Sequence, residues 1–217
     1  MNEPRSGENS PEKETGRLES FSDGVFSIAM TLLVLELAVP ALKNPPTAGG
    51  LWSALARQWP SYLAFVTSFF TVLIMWVNHH GIFRLVRRTD SILLFANGFV
   101  LLLVTAVPFP TALLAAYLRT PAASTACIVY GAIFVVIDFA YALLLHAVRR
   151  NGGHLLAPNA APEINRRLRD CYLVGAPLYL VATLVAPWKP WLTIVICTIL
   201  WVFWAVGRAE GRSAFAR

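Results

Sequence analysis

Apolar and polar positions fall in long blocks along this chain, not in the short alternation of half-buried strands. Six blocks are apolar and almost free of charge. A bilayer core about 30 Å thick takes roughly 17–25 helical residues, and the blocks have that length or nearly so. The first predicted span runs from Phe21 to Val39 and stops at Pro40. The second runs from Trp59 to Val77. The third runs from Ser91 to Val107, where Pro108 and Pro110 break or kink it, with a continuation from Thr111 to Tyr117. The fourth runs from Ser124 to Leu145. The fifth (Cys171 to Ala186) and the sixth (Trp191 to Val206) are short, and Pro187-Trp188-Lys189-Pro190 joins them as a tight hairpin. Trp188, Lys189 and Trp191 suit an interfacial turn.

Composition agrees. Of 217 residues, 57% are hydrophobic and 14% charged, against about 25% charged in a soluble domain. Too little polar surface remains to cover a soluble globule. Cys127, Cys171 and Cys197 lie in or beside apolar blocks. Their odd number and unpaired spacing predict neither a disulfide framework nor a zinc site, and they read as buried small hydrophobes.

The net charge of +6 reads as membrane topology, not nucleic-acid binding. With the N-terminus in the cytosol, Arg5, Lys13 and Arg17 fall inside. So do Arg84, Arg87 and Arg88, then Arg149, Arg150, Arg166, Arg167 and Arg169, then Arg208, Arg212 and Arg217. Of the 18 Lys and Arg residues, Lys43, Arg57, Arg119 and Lys189 remain outside. This asymmetry predicts six spans with both termini cytosolic. Residues 1–20 hold five Glu against three Lys and Arg, the wrong sign for a cleavable leader. The predicted organisation is a disordered cytosolic tail at 1–20, a membrane domain at 21–207 and a cytosolic tail at 208–217. The longest loop, Arg149 to Asp170, is placed inside, and no internal repeat relates the halves.

No catalytic pattern is present: no G-x-S-x-G, H-E-x-x-H, P-loop, C-x-x-C or dinucleotide fingerprint. An enzyme is not expected. His79 and His80 diverge by about 100° on a helix, so they serve as polar anchors and not as one metal site. The acids inside the predicted spans are Asp23, Glu36 and Asp138, and such groups are expensive in lipid. Asp138, in mid-span 4, reads either as a relay carboxylate of a proton-coupled secondary transporter or as an acid tying two helices together. On the first span, with Ile28 at zero, Leu35 falls near −20°, Thr31 near −60° and Leu32 near +40°, at about 100° per residue. Ser22 near +120° and Asp23 near −140° lie off that stripe. Periodicity leaves open whether the stripe meets lipid, protein or a pore.

The run from Arg17 through Phe21-Ser22-Asp23 to Glu36 carries the pattern R-x-x-x-F-S-D at the head of a first span. It resembles bacterial relatives of transmembrane protein 175, the endosomal and lysosomal potassium channel. Trp76-Val77-Asn78-His79-His80, Asn97 to Leu102 and Pro108-Phe109-Pro110-Thr111 resemble the same family. The resemblance implies an all-α, six-span bundle that assembles as a homotetramer around a pore lined by the first helix, in a bacterial inner or plasma membrane. It implies a potassium-permeable pore without a TVGYG filter, with modest preference over sodium and no cofactor. By position, Ile28, Thr31, Leu32 and Leu35 form the constriction and selectivity layer, with potassium at Thr31. Glu36 stands at the outer mouth, where four copies would enrich cations, or else packs as an interfacial acid against a neighbouring helix. Arg17, Ser22, Asp23, Trp76, Asn78, His79 and Asn97 form a structural polar lock.

Overall fold

The computed structural model describes residues 11–41 and 47–206. Residues 1–10 of the expected N-terminal tail, the tail at 208–217, and Arg5, Lys43, Arg208, Arg212 and Arg217 lie outside the described residues. The described chain is all-helical. Its elements are α1 (Pro11–Leu32), a 3-10 turn (Leu33–Glu36), α2 (Ala48–Arg57), α3 (Trp59–Phe83), α4 (Ser91–Ala106) and α5 (Pro108–Tyr117). They continue with α6 (Ala123–Gly153), α7 (Ala161–Asp170), a π turn (Cys171–Gly175), α8 (Ala176–Val185) and α9 (Pro190–Val206). Five helical stretches are long and apolar enough to cross a membrane, and α9 is a shorter apolar helix. At 17 residues, α9 sits at the lower limit of a span.

Several boundaries differ from the sequence expectation. Helix α1 begins at Pro11, so residues 11–20 are helix and not disordered tail. Pro11 suits the first helical position, and Glu14 suits the positive end of the helix dipole. At its far end α1 gives way to the 3-10 turn and stops at Leu37 (φ −90°, ψ 72°), short of Val39. Residues 84–90 follow a second span that reaches Phe83 and not Val77. Helix α2, with Gly50 N–H donating to the Thr47 hydroxyl at 3.1 Å, was not anticipated. The expected cytosolic loop contains α7, which runs through the π turn into α8. The prolines after α4 kink the path without ending it: Val107 keeps helical torsions (φ −56°, ψ −37°), and Pro108 opens α5.

The two ends of the bundle sort as the charge pattern predicts. Arg87 N–H donates to the Leu155 carbonyl and Ala157 N–H to the Leu85 carbonyl, each at 2.8 Å. Arg150 stands 3.8 Å from Asp90, and the Thr89 hydroxyl donates to Glu14 at 3.2 Å. The start of α1 and the basic segments after α3 and α6 therefore share one end. At the other end Gln58 Nε2 donates to the Ala38 carbonyl at 2.8 Å, and Trp59 stacks on Trp191 with ring centroids 5.5 Å apart.

Helix α6 is central, packing against α4, α5, α7, α8 and α9. A Cβ on Gly131 would lie 2.6 Å from the Thr183 hydroxyl oxygen and 3.2 Å from Thr183 Cα, so glycine sets how closely α6 and α8 approach. The short α8–α9 hairpin is closed by Thr193, whose hydroxyl donates to the Ala182 carbonyl at 2.7 Å.

Candidate functional site

Helix α1 has two faces, and each carries half of the site. The inward face buries Ser22, Phe26, Ala29 and Leu33 completely, a spacing of three to four residues that a 3.6-residue turn places on one side. That face packs on α3 and α4. The opposite face leaves Ile28 at 59% exposure, Leu32 at 40% and Leu35 at 71%, with Thr31 exposed beside them.

The inward face is held by a directional chain of hydrogen bonds. Asn97 Oδ1, on α4, lies 2.6 Å from His79 Nε2, on α3. An amide oxygen only accepts, so Nε2 carries the proton. Asn97 Nδ2 donates to the Ser22 hydroxyl at 2.9 Å, and that hydroxyl donates to the Leu18 carbonyl at 2.8 Å. Three helices are tied at one point among fully buried groups, where an unmet donor or acceptor costs most. The His79 ring also stacks on Phe83 at 4.5 Å and tilts against Phe26 at 5.2 Å. Next to this chain, Trp76 Nε1 donates to Asp23 Oδ1 at 2.8 Å.

Thus Ser22, Asp23, Trp76, His79 and Asn97 come together, while two residues of the expected lock stand apart. Arg17 is exposed and makes no ion pair or hydrogen bond with that set. It precedes Asp23 by six residues, which turns it about 120° away and sets it roughly 9 Å along the axis. Asn78 faces away from α1, and its buried Oδ1 has no partner. His79 and His80 diverge as expected: His80 Nδ1 lies 2.7 Å from Glu19, and its ring stacks on Trp76. Glu19 was missed by sequence reasoning. Its four-residue spacing to Asp23 on α1, matching that of Trp76 to His80 on α3, is the signal that was available.

On the bare face, the Thr31 hydroxyl donates to the Ile28 carbonyl at 2.8 Å, which turns its oxygen lone pairs outward. The 3-10 turn matters here. Residues three apart eclipse in that geometry, which keeps Leu35 on the exposed side that Leu32 occupies at the end of α1. Glu36 is partly exposed at the end of the turn.

Asp138 belongs to neither face. It is 7% exposed and takes a hydrogen bond from the Cys171 thiol. A Cβ on Gly175 would run into its carboxylate. Asp138 forms no ion pair with a cation of the described residues. A second buried cluster went unnoticed in the sequence: the Thr111 hydroxyl lies 2.8 Å from Ser68 Oγ, and Ser68 Oγ lies 3.2 Å from the Tyr130 hydroxyl. It joins α3, α5 and α6. Among the described residues no group of three or more His, Cys, Asp or Glu is arranged to hold a metal ion.

These features define a polytopic helical membrane protein whose first helix is anchored by one face and, among the described residues, unpartnered along the other. The sequence profile of the endosomal/lysosomal potassium channel TMEM175 family matches residues 17–108, the segment that holds both the hydrogen-bond chain and the bare stripe. A potassium channel of Chamaesiphon minutus is 48% identical over 196 residues, 90% of this chain and 95% of that relative. A potassium channel of Streptomyces collinus is 48% identical over 165 residues, 75% of this chain and 78% of the relative. The crystal structure of a lysosomal potassium-selective channel TMEM175 homolog from Chamaesiphon minutus superposes with a TM-score of 0.79 at 46% identity, covering 89% of this chain and 97% of that one. The chain belongs to the TMEM175 family, whose members here are ion channels and not enzymes.

Proposed function

We propose that this protein is a potassium-permeable cation channel whose pore is lined by α1 from four copies of the chain. The observation that carries this reading is the two-sided character of α1. One face is locked by buried hydrogen bonds to α3 and α4, and the other offers Ile28, Thr31, Leu32 and Leu35 with nothing among the described residues to cover them. Membership of a channel family, with potassium channels among the similar proteins, supports the same reading.

Four copies of Ile28, Leu32 and Leu35 around an axis give methyl rings that offer water no hydrogen bond. Such a ring closes by dewetting and opens when it widens. Thr31 supplies four hydroxyl oxygens whose protons are engaged by the helix backbone, leaving lone pairs to replace part of a cation's hydration shell. Few strong dipoles are fixed there, so preference for potassium over sodium is modest. Glu36 in four copies enriches cations at the outer mouth. The basic end of the bundle faces the cytosol, and the membrane is the bacterial inner or plasma membrane. Potassium is the permeant ion, and no cofactor enters the mechanism. The proton-coupled transporter reading through Asp138 is not taken up, because that carboxylate is engaged by Cys171 and wedged against Gly175.

The test is thiol labelling of single-cysteine variants along α1 in reconstituted protein, in a background freed of the native cysteines. The reading expects aqueous methanethiosulfonate reagents to block cation flux at Ile28→Cys, Leu32→Cys and Leu35→Cys but not at Phe26→Cys or Leu33→Cys. Equal insensitivity at all five positions, in protein that conducts, contradicts it.

A further inference from the structure

The cytosolic end of α6 and the returning α7–α8 segment form a groove that neither face of α1 shares. Two side-chain rungs cross it. Arg149 Nη1, on α6, donates to Asn165 Oδ1, on α7, at 3.0 Å. One helical turn closer to the membrane, His146 Nε2 lies 2.9 Å from the Tyr172 hydroxyl of the π turn. Arg169 stands between the rungs on the α7 side, four residues after Asn165 and three before Tyr172, a spacing that keeps it beside both. These five side chains are all exposed. The positive charge there is only partly compensated. From Arg149 to Asp170 the chain has five Arg against one Glu and one Asp. Glu163 is engaged by Arg166 and Arg167 at 2.9 and 2.7 Å. Arg169 stands 3.6 Å from Asp170, which Arg166 also faces at 3.9 Å. Arg149 forms no ion pair among the described residues: one of its N–H groups meets the neutral Asn165 amide, and a guanidinium has more donors to offer.

Depth in the bilayer selects the occupant. Helix α6 opens at Ala123, and at about 1.5 Å per residue it crosses a hydrocarbon core of about 30 Å by roughly Leu143. His146 and Arg149 follow about 4–5 Å and 9 Å further on, within side-chain reach of a headgroup layer about 5–8 Å deep. Below them the same face of α6 exposes Phe139 and Leu143, and Leu173, one turn after Arg169, is exposed on the other side. Guanidiniums at phosphate depth above an apolar surface fit one kind of molecule. We infer that this groove binds an anionic phospholipid, its phosphodiester between Arg149 and Arg169 and an acyl chain along Phe139, Leu143 and Leu173. A zwitterionic headgroup adds an ammonium that the same arginines repel, and a free phosphate leaves the apolar surface without a partner. The inference does not rest on the pore assignment, because α1 packs on α3 and α4 while α7 and the π turn pack on α6 and α8.

The experiment is native mass spectrometry of the purified full chain titrated with phosphatidylglycerol, with phosphatidylcholine of the same acyl chains as the zwitterionic reference. Wild-type protein is expected to take up phosphatidylglycerol saturably and more tightly than phosphatidylcholine. The double variant Arg149→Gln with Arg169→Gln should weaken phosphatidylglycerol binding about thirtyfold, the factor that two guanidiniums beside an anionic lipid supply, and should abolish the preference. Arg84→Gln with Arg88→Gln removes the same charge from exposed arginines at the same end of the bundle and should change the affinity less than about twofold, since neither residue lies in the groove. If the first double variant does not elute as native protein, Arg169→Gln alone decides, with a loss of about fivefold. Soluble glycerol phosphate should not displace the lipid. Equal affinity for the two lipids overturns the inference. So does an equal loss in the two double variants, unchanged binding in Arg169→Gln, or displacement of the lipid by glycerol phosphate at equal concentration.

Discussion

Replacing Asn97 with leucine removes the middle link of the three-helix hydrogen-bond chain at nearly constant volume. The amide is 1% exposed and serves His79 at 2.6 Å and Ser22 at 2.9 Å. Two hydrogen bonds disappear, each worth about 1 kcal/mol net. The larger effect is what they leave behind. His79 Nδ1 already lacks a partner, so the buried ring would then have neither nitrogen satisfied, at a cost of about 1–3 kcal/mol. Ser22 keeps its bond to the Leu18 carbonyl and loses little. Leucine regains some apolar burial, which leaves a net loss of roughly 2–4 kcal/mol. Thermal unfolding followed by fluorescence-detected size exclusion is the assay, and at roughly 2–4 °C per kcal/mol a drop of about 5–15 °C is expected. The decisive companion is the double variant His79→Phe with Asn97→Leu. Phenylalanine can keep the contacts with Phe26 and Phe83 while removing the stranded N–H, and replacing both partners of a hydrogen bond is close to neutral. The double variant should therefore be more stable than Asn97→Leu alone. A single variant as stable as wild type, or a double variant less stable than the single, would refute the reasoning.

Asp23→Ala breaks the bond from Trp76 and should lower the yield of native protein on size exclusion more than it changes potassium-to-sodium preference in the protein that survives; normal yield with altered selectivity would put Asp23 in the ion path. Gly131→Val places a branched side chain where even a Cβ meets Thr183 backbone at 3.2 Å, and overpacking of this kind costs about 1–3 kcal/mol or more, so its unfolding temperature should fall by several degrees while Gly98→Ala, with open space at that Cβ, changes little. Cysteines introduced at Arg88 and Arg150 should react with impermeant thiol reagents only from the cytosolic side of inverted vesicles, and one at Arg119 only from the other; reversal at any of these loops breaks the assigned topology.

How much of this was legible in the sequence depends on what each feature needs. Apolar length and the Lys and Arg bias need only local counting, so the spans and the sorting of Arg87 and Arg150 to one end followed directly. The helical wheel separated Ser22 from Ile28 because both lie in one regular helix. Boundaries were less visible. Polar residues 11–20 looked like a tail because charge density, not helical propensity, dominated that stretch, and α7 was hidden in a basic loop for the same reason. The side-chain partners of Ser22 and Asp23, Asn97 and Trp76, lie more than fifty residues away in sequence, so they entered through family resemblance and not through any spacing rule. Arg17 was grouped with them by proximity in the motif, although six helical residues turn it to another side. The pairing of Ser68, Thr111 and Tyr130 across three helices has no one-dimensional signature at all.

The assignment of the pore to α1 is tested most directly by reversal potentials of purified protein in planar bilayers under bi-ionic potassium and sodium conditions. Wild-type protein should pass cation current with a reversal potential that favours potassium modestly. Ile28→Asn, which replaces a methyl ring with amides, should raise the current and move the reversal potential toward zero. Thr31→Val, which removes the hydroxyl but keeps the side-chain volume, should keep the pore conducting while eroding the preference. Wild-type protein that carries no cation current, or Ile28→Asn and Thr31→Val channels indistinguishable from wild type in both current and reversal potential, would contradict a pore lined by this face of α1.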